Sequence, residues 1–219
     1  MLSLLKNISL GTLCIIAFIC FCIGVKYRRK HRELNHLYIY PLFSFLQIII
    51  YFLFTYFNFP KSTSNLSIRF SIHIFIIVET ICIFFFFYKT DILTNGIKNK
   101  LFFAYFFYLS FYIFRLVTSN LFLAHIFYIQ SLIIIIPCFI YLYQLFLNPP
   151  ILNLLEEPSF WFNSGLLIYF TLTLPLYFIV NYFNKNPMYQ LIDFININGY
   201  IIIYIFLIKG YKCNPKITT

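Results

Sequence analysis

One acidic residue, Glu79, lies near the middle of a long apolar run that extends over residues 70–88. On a helix its face would be shared with Ile76, Cys82 and Ile83, so its carboxyl group could not reach a membrane surface. A carboxyl group at this depth is either protonated in an apolar cleft or paired with a donor on another helix. Two roles follow for Glu79, a hydrogen bond between helices or the coupling of protons to a ligand.

The possible hydrogen-bond donors to Glu79 are polar residues in three other apolar runs. They are Gln47, Gln130 and Arg115. The sequence does not decide among them.

Four apolar runs carry tyrosines and polar residues at steps of three or four, which places these side chains on one helical face. In hydrocarbon such faces turn towards other helices or towards water. They can therefore act as contacts between helices or line a hydrated cavity, and the sequence leaves both open. The four polar stripes are Ser44, Gln47, Tyr51, Thr55 and Asn58; Tyr105, Tyr108, Tyr112, Arg115 and Ser119; Tyr169, Thr173, Tyr177 and Asn181; and Asp193, Asn196, Tyr200 and Tyr204.

Ionisable residues close to the ends of four runs form a candidate outer polar cluster of His73, Arg115, His125 and Asp193. If they converge in a recognition site, Arg115 and Asp193 are the natural ion pair. Alternatively, Arg115 extends to the lipid headgroups and the histidines are interfacial. Two histidines and a carboxylate could bind a metal ion or haem, but no pair is spaced i, i+4, so no metal or cofactor is predicted.

The elements that position these residues are predicted to be membrane-spanning helices. The chain is 62% hydrophobic and 10% charged, whereas soluble domains are about a quarter charged. Because the runs are continuously apolar rather than alternating, they predict helices and not barrel strands. We expect an all-α polytopic bundle in which residues 1–219 form one domain. Its seven spans are residues 8–25, 37–59, 70–88, 101–118, 121–146, 159–182 and 191–208.

The basic residues predict the orientation, because Lys and Arg are retained on the cytoplasmic side. Eleven of the sixteen follow the first, third and seventh spans, four lie before the first span or after the second and sixth, and Arg115 lies within the fourth. The N-terminus is therefore predicted outside and the C-terminus inside. The eleven are Lys26, Arg28, Arg29, Lys30, Arg32, Lys89, Lys98, Lys100, Lys209, Lys212 and Lys216, and the four are Lys6, Lys61, Arg69 and Lys185.

The net charge of +10 does not indicate nucleic-acid binding. Basic residues concentrated in the cytoplasmic loops are what orientation requires, and anionic lipid headgroups are their nearest partner. Of six cysteines, five lie within predicted spans and none forms a C-x-x-C pair, so we interpret them as small packing residues.

Short cytoplasmic loops leave no room for an effector domain, so any output must pass to another protein. The candidate contacts with such a partner are Arg28 and Arg29 after the first span, and Glu156 and Glu157 before the sixth. The two glutamates also precede Pro158, where negative charge at a helix N-terminus would act as a cap.

Two segments resemble a family of small bacterial seven-helix membrane proteins of unknown function. They are residues 76–79, Ile-Ile-Val-Glu, and residues 154–170, which contain the pattern Pro-x-Phe-Trp-x-Asn-x-Gly-x-x-x-Tyr. The resemblance implies a multi-pass protein of the bacterial cytoplasmic (inner) membrane that is associated with signalling. It also implies that Glu79 is the family's acidic position, that Trp161 lies at the inner interface and that Gly165 allows close helix contact.

The favoured function is a sensory or signalling accessory protein that senses at its outer face and acts through a membrane partner, such as a kinase. The alternative is a small proton-linked transporter that uses Glu79 as its proton-binding carboxylate. An enzyme is not expected, because the sequence contains no P-loop, H-E-x-x-H or G-x-S-x-G motif.

Overall fold

The long apolar runs form α-helices, as backbone groups require when the surroundings offer no hydrogen-bond partner. The structure, a computed structural model, describes residues 2–57, 61–118, 124–149, 153–183 and 186–213, with side chains over 5–57, 70–118, 127–149, 153–177 and 191–213. These residues are all-helical, apart from turns and linkers. The seven helices are α1 (Leu2–Tyr27), α2 (Ile39–Tyr56), α3 (Lys61–Lys89), α4 (Asn95–Thr118), α5 (Ala124–Leu147), α6 (Pro158–Phe183) and α7 (Asn186–Lys212), with one 3-10 turn at Leu154–Glu156.

Six of the seven helices are long and apolar enough to cross a membrane, namely α1, α2, α3, α4, α5 and α7. Helix α6 contains Asn163, Thr171 and Thr173 within a mainly apolar sequence. The helices extend beyond several predicted spans. For example, α4 begins at Asn95 and not at residue 101, since a helix can continue beyond the hydrocarbon and Lys98 and Lys100 are good helix formers. These features identify a multi-pass membrane protein.

Consecutive helices pack side by side and α7 returns to α1, which closes the bundle. The most extensive interfaces are those of α6 with α5 and α7, and of α1 with α7. Helix α4 is more peripheral and packs against α3 and α5. Its other face is exposed and rich in phenylalanine, which suits contact with lipid. The exposed phenylalanines are Phe102, Phe103, Phe106, Phe107, Phe111 and Phe114.

The linker between α1 and α2, residues 28–38, folds against one end of the bundle, which we call the linker end. Leu34 and Leu37 are fully buried there, and the Tyr211 hydroxyl donates to the Leu34 carbonyl at 3.1 Å. His36 Nε2 lies 3.1 Å from the Cys82 carbonyl oxygen. Burial lowers the pKa of His36 to about 4, so its ring is neutral near pH 7 and donates this bond.

Aromatic rings fill the bundle above the linker. Phe86 meets Phe162 edge-on with ring centroids 4.9 Å apart, and it also contacts Tyr141 at 6.0 Å. At the start of α6, the Trp161 indole N–H donates to the Leu155 carbonyl at 2.8 Å, and Lys209 Nζ lies 3.5 Å from the Trp161 ring centroid. Each aromatic ring pair adds about 0.5–1.5 kcal/mol beyond burial. The packed rings close this end of the bundle.

Glycines permit the close approach of α6 and α7. A Cβ atom on Gly165 would lie 3.0 Å from Phe206 Cβ, so Gly165 forms the close helix contact expected from the sequence. A Cβ on Gly210 would lie 2.7 Å from the Pro158 carbonyl oxygen. Because this oxygen belongs to the backbone, it cannot move without displacing the start of α6.

We expect the Gly210→Ala substitution to destabilise the protein by about 1–3 kcal/mol, because it overpacks this backbone contact. The matched control is Gly11→Ala in α1, where no atom outside the neighbouring backbone lies within 4 Å of the added methyl group, and which should stabilise the protein by about 0.5–1 kcal/mol, since Ala is the better helix former. Thermal unfolding of the detergent-solubilised variants measures both. Equal changes in the two variants would contradict the packing described for α6 and α7.

Candidate functional site

A hydrogen-bonded network surrounds Glu79 and joins three helices. Glu79 is 1% exposed, and its carboxyl oxygens accept from the Tyr40 hydroxyl of α2 at 2.8 Å and from Gln130 Nε2 of α5 at 3.0 Å. Gln130 Nε2 also lies 3.3 Å from Thr80 Oγ1, and Thr80 donates to the Ile76 carbonyl. We call Tyr40, Glu79, Thr80 and Gln130 the Glu79 network. It fixes the rotation of α2, α3 and α5 relative to one another.

The donors to Glu79 are all neutral, and no basic side chain pairs with it among the described residues. An ionised carboxylate buried without a counter-charge is far more costly than a neutral one. The site therefore differs from a buried ion pair, and its charge can change when its surroundings change.

Of the expected partners of Glu79, the structure places Gln130 in the network, whereas Gln47 lines a cavity and Arg115 lies on the peripheral helix α4. Tyr40 was not among the partners predicted for Glu79. One signal could have found it, since Tyr40 is four residues before Ser44 and continues the polar stripe of α2 by one helical turn.

A cavity of about 330 Å³ lies between α1, α2, α3 and α7. It is at the end of the bundle where α1, α3 and α7 begin, which we call the cavity end. Lys6 Nζ and Asp193 Oδ2 form an ion pair of 2.6 Å, with side chains 27% and 52% exposed, and so lie at its mouth. The interior combines apolar and polar side chains: Leu10, Leu13, Ile48, Ile72, Phe75 and Ile197, with Ser44, Gln47, Tyr51, Ser71, Asn196 and Tyr200.

The cavity reaches the Glu79 network through tyrosine side chains. Phe75 and Tyr200 line the cavity and also contact the Tyr40 ring, at centroid distances of 5.6 Å and 6.4 Å. The hydroxyl of Tyr40 binds Glu79, and Tyr200 also interacts with the Glu79 carboxyl group. Tyr40 thus contacts both the cavity wall and the buried carboxyl group.

The polar stripes have two different roles in the structure. Those of α2 and α7 line the cavity, through Ser44, Gln47, Tyr51, Asp193, Asn196 and Tyr200. Those of α4 and α6 make helix contacts. Tyr105, Tyr108 and Tyr112 are buried, the tilted rings of Tyr169 and Tyr200 have centroids 4.8 Å apart, and Tyr177 accepts from Asn196 at 3.0 Å. Three stripe residues, Asn58, Ser119 and the side chain of Asn181, lie outside the described residues.

The residues of the candidate outer polar cluster are distributed over separate contacts. Asp193 pairs with Lys6 and not with Arg115 as expected, because α7 packs on α1 and α6 whereas α4 packs on α3 and α5. His73 Nδ1 lies 2.6 Å from the Tyr112 hydroxyl, and Arg115 is half-buried near the end of α4. The side chain of His125 lies outside the described residues.

The candidate partner contacts lie at the linker end and differ in exposure. Arg28 and Arg29 are exposed and line a basic pocket of about 450 Å³ with Lys30, Arg32, Asn35 and Tyr38. Glu156 is half-buried, and it accepts from Asn153 Nδ2 at 3.3 Å. Glu157 is 8% exposed and immediately precedes α6. Its carboxyl group lies beside Ser159, which is in the first turn of that helix. This placement suits its expected alternative role as a helix cap, and not contact with a partner.

Comparison with known proteins adds no assignment. No protein-family model matches the chain, and neither a curated protein nor a solved structure is similar to it. The resemblance to small bacterial seven-helix proteins therefore stays a prediction from residues 76–79 and 154–170.

We expect the Tyr40→Phe substitution to destabilise the protein by about 1–3 kcal/mol, because the buried Glu79 carboxyl group loses the hydrogen bond from the Tyr40 hydroxyl. The matched control is Tyr105→Phe. Tyr105 is also buried, but its hydroxyl has no hydrogen-bond partner among the described residues, so its loss should be nearly neutral. Thermal unfolding in detergent measures both variants, and a similar loss in each would contradict the role given to Tyr40.

Substitutions of Glu79 itself should separate by charge. Glu79→Gln keeps an acceptor for Tyr40, and the Gln130 amide can turn to accept from the new amide group. Glu79→Lys instead buries a positive charge among donors. We expect the Gln variant to fold with near-normal yield and the Lys variant to be largely lost, as measured by monodisperse protein recovered after solubilisation. Equal recovery would show that residue 79 faces lipid or water.

Proposed function

We propose that this protein is a membrane receptor that binds a small amphipathic molecule in the cavity and acts through a membrane partner. The observation that carries the proposal is the connection of a mixed polar and apolar cavity, through Tyr40, to the buried Glu79 network. A cavity of about 330 Å³ is within the size range of sites for small organic ligands, which are mainly apolar with a few polar groups that fix orientation.

The geometry supports a way for binding to change the bundle. A ligand in the cavity would contact Phe75 and Tyr200, which hold the Tyr40 ring in place. Movement of Tyr40 alters its bond to Glu79, and thereby the link between α2 and α3. A ligand that favours one arrangement of this link over the other shifts the equilibrium between them.

In the proposed topology all seven helices cross the bacterial cytoplasmic membrane, with the N-terminus and the cavity end outside. Contacts at the linker end support a common cytoplasmic side for the basic segments. Lys30 Nζ donates to the Cys213 carbonyl, Lys89 Nζ to Asn35 Oδ1, and Lys209 covers Trp161. These contacts bring together the ends of α1, α3 and α7 and the start of α6.

Reporter fusions test this topology. Reporters near residues 30, 95, 153 and 215 should read inside, and those near 65 and 185 outside. The pair at 153 and 185 tests α6 on its own, because both positions would read the same side if α6 did not cross. An outside reading at 95 would overturn the order of the spans.

The proposed partner surface is the exposed basic pocket at the linker end, which includes Arg28 and Arg29. Guanidinium groups suit a partner with carboxylate or phosphate groups. A membrane kinase or a similar signalling protein would receive the output here, and anionic lipid headgroups would compete for the same pocket.

The proposed ligand site is tested by reducing the cavity volume. Ile48→Phe adds a ring to a cavity-lining residue, and Ile136→Phe adds the same ring to an exposed position on α5. Thermal-shift measurements in nanodiscs against a panel of amphipathic anions, cations and zwitterions should give compounds that stabilise the native protein. We expect Ile48→Phe to lose this stabilisation and Ile136→Phe to retain it. A compound that stabilises both variants equally binds elsewhere and counts against the cavity.

A proton-linked transporter is the second candidate, favoured by the position of Glu79 directly behind the ring that borders the cavity. A transporter predicts proton flux into proteoliposomes that depends on the same stabilising compound, and loss of this flux in Glu79→Gln. A receptor predicts binding without flux. The flux measurement therefore decides between the two functions.

A further inference from the structure

Two carboxyl groups meet in the interior of the linker end, away from the Glu79 network. Glu33 belongs to the 28–38 linker, and Glu157 precedes α6. The Ser159 hydroxyl donates to Glu33 Oε2, and the Glu157 carboxyl lies beside the hydroxyl and backbone amide of the same serine. Ser159 is 1% exposed. One buried hydroxyl group thus lies between two acidic side chains from different parts of the chain.

Neither carboxyl group has a positive partner among the described residues. The charged neighbours of Glu33 are Glu157 and Asp91, and its remaining donors are the Asp91 amide and the Thr90 hydroxyl. Burial and then the Glu157 charge raise the pKa of Glu33 to about 7, and burial also raises the pKa of Glu157.

The nearby basic residues at this end have other contacts. Lys30, Lys89 and Lys209 bind a carbonyl, an amide oxygen and an indole ring. Burial, followed by the charge of Lys30, lowers the pKa of His31, so its ring adds no positive charge near pH 7. Among the described residues, therefore, no basic side chain forms an ion pair with either carboxyl group.

The buried hydroxyl group of Tyr141 is a neighbour of the same two glutamates. Tyr141 of α5 is fully buried, and its hydroxyl has no hydrogen-bond partner among the described residues. Its polar neighbours are Ser159, Glu33 and Glu157. A buried hydroxyl oxygen without a partner is costly, and the group nearest to hydrogen-bonding with it is Ser159, which also binds Glu33. An additional positive ligand between the two carboxyl groups would satisfy the tyrosine oxygen and the carboxylates together.

We propose that Glu33 and Glu157, with the Ser159 and Tyr141 hydroxyl oxygens, bind a hard divalent cation. All four ligands are oxygen donors, which Ca²⁺ and Mg²⁺ prefer over the nitrogen and sulfur ligands of zinc sites. No group of three or more His, Cys, Asp or Glu side chains is arranged to hold a metal ion among the described residues, so the site depends on hydroxyl oxygens beside its two carboxylates. The two carboxylate charges match one divalent ion.

The bound cation would join three elements, the linker through Glu33, α5 through Tyr141 and the start of α6 through Glu157 and Ser159. The linker also carries Arg28 and Arg29 of the basic pocket. Cation binding would therefore order the surface that surrounds this pocket.

The experiment uses the full-length protein in nanodiscs, freed of metal with EDTA, dialysed, and then titrated with Ca²⁺ or Mg²⁺ at pH 7.5. At about 100 times the dissociation constant, one site should raise the thermal unfolding midpoint by about 5 °C. Glu157→Gln and Glu33→Gln should each lose this increase. Glu156→Gln is the matched control, since it removes a neighbouring carboxylate outside the site and should keep the increase.

The pH dependence distinguishes a cation from a proton. A carboxyl group whose pKa is higher in the folded than in the unfolded protein binds protons on folding, so without metal the stability should rise as the pH falls from about 7 to about 5. Protons should also displace the cation, so its effect should shrink over the same range. Glu157→Gln removes the repulsion and should fold at least as well as the native protein without metal.

The cation site is overturned if neither ion raises the midpoint, or if Glu156→Gln loses the increase as fully as Glu157→Gln. A native protein that gains stability at low pH but does not respond to either cation would show that the pair binds a proton only, which also overturns it.

Discussion

A carboxyl group inside an apolar bundle must obtain its hydrogen bonds from the protein, because hydrocarbon offers none. Glu79 meets this requirement with one donor from α2 and one from α5, and the relative rotation of three helices follows from it. If α2 turned by one residue, about 100°, Tyr40 would leave Glu79 and the polar stripe of α2 would leave the cavity. The carboxyl group and the cavity are thus consequences of the same helix orientation.

The two ends of the bundle are organised differently. At the cavity end, polar stripes on α2 and α7 face each other without filling the space between them. At the linker end, Phe86, Phe162 and Tyr141 close the interior, and the linker covers it. An opening at one end and close packing at the other are compatible with the proposed receptor and with the alternative transporter.

The sequence predicts the parts of this structure that depend on local periodicity. Continuous apolar runs predict the helices, and steps of three and four residues place Ser44, Gln47 and Tyr51 on one face. The position of Glu79 in mid-run predicts its burial, and Gln130 is among the partners expected for it. Each of these predictions requires only the geometry of a single helix.

Pairings between distant helices were not predictable in the same way. Asp193 takes Lys6 and not Arg115, because α7 lies beside α1, and the order of helices around the bundle is not encoded in any one span. Tyr40 was not predicted, because the polar stripe of α2 was taken to begin at Ser44, one helical turn after it. Glu33 received no role, since it lies in a linker whose fold against α6 is a tertiary contact.

The only tryptophan of the chain, Trp161, lies between Leu155 and Lys209 at the start of α6. Its indole emission therefore comes from one place, far along the bundle from the cavity. An ammonium group over the ring and a carbonyl at the indole N–H both affect the wavelength of that emission. A shift in its maximum when a compound enters the cavity would report, without any label, that the two ends of the molecule communicate.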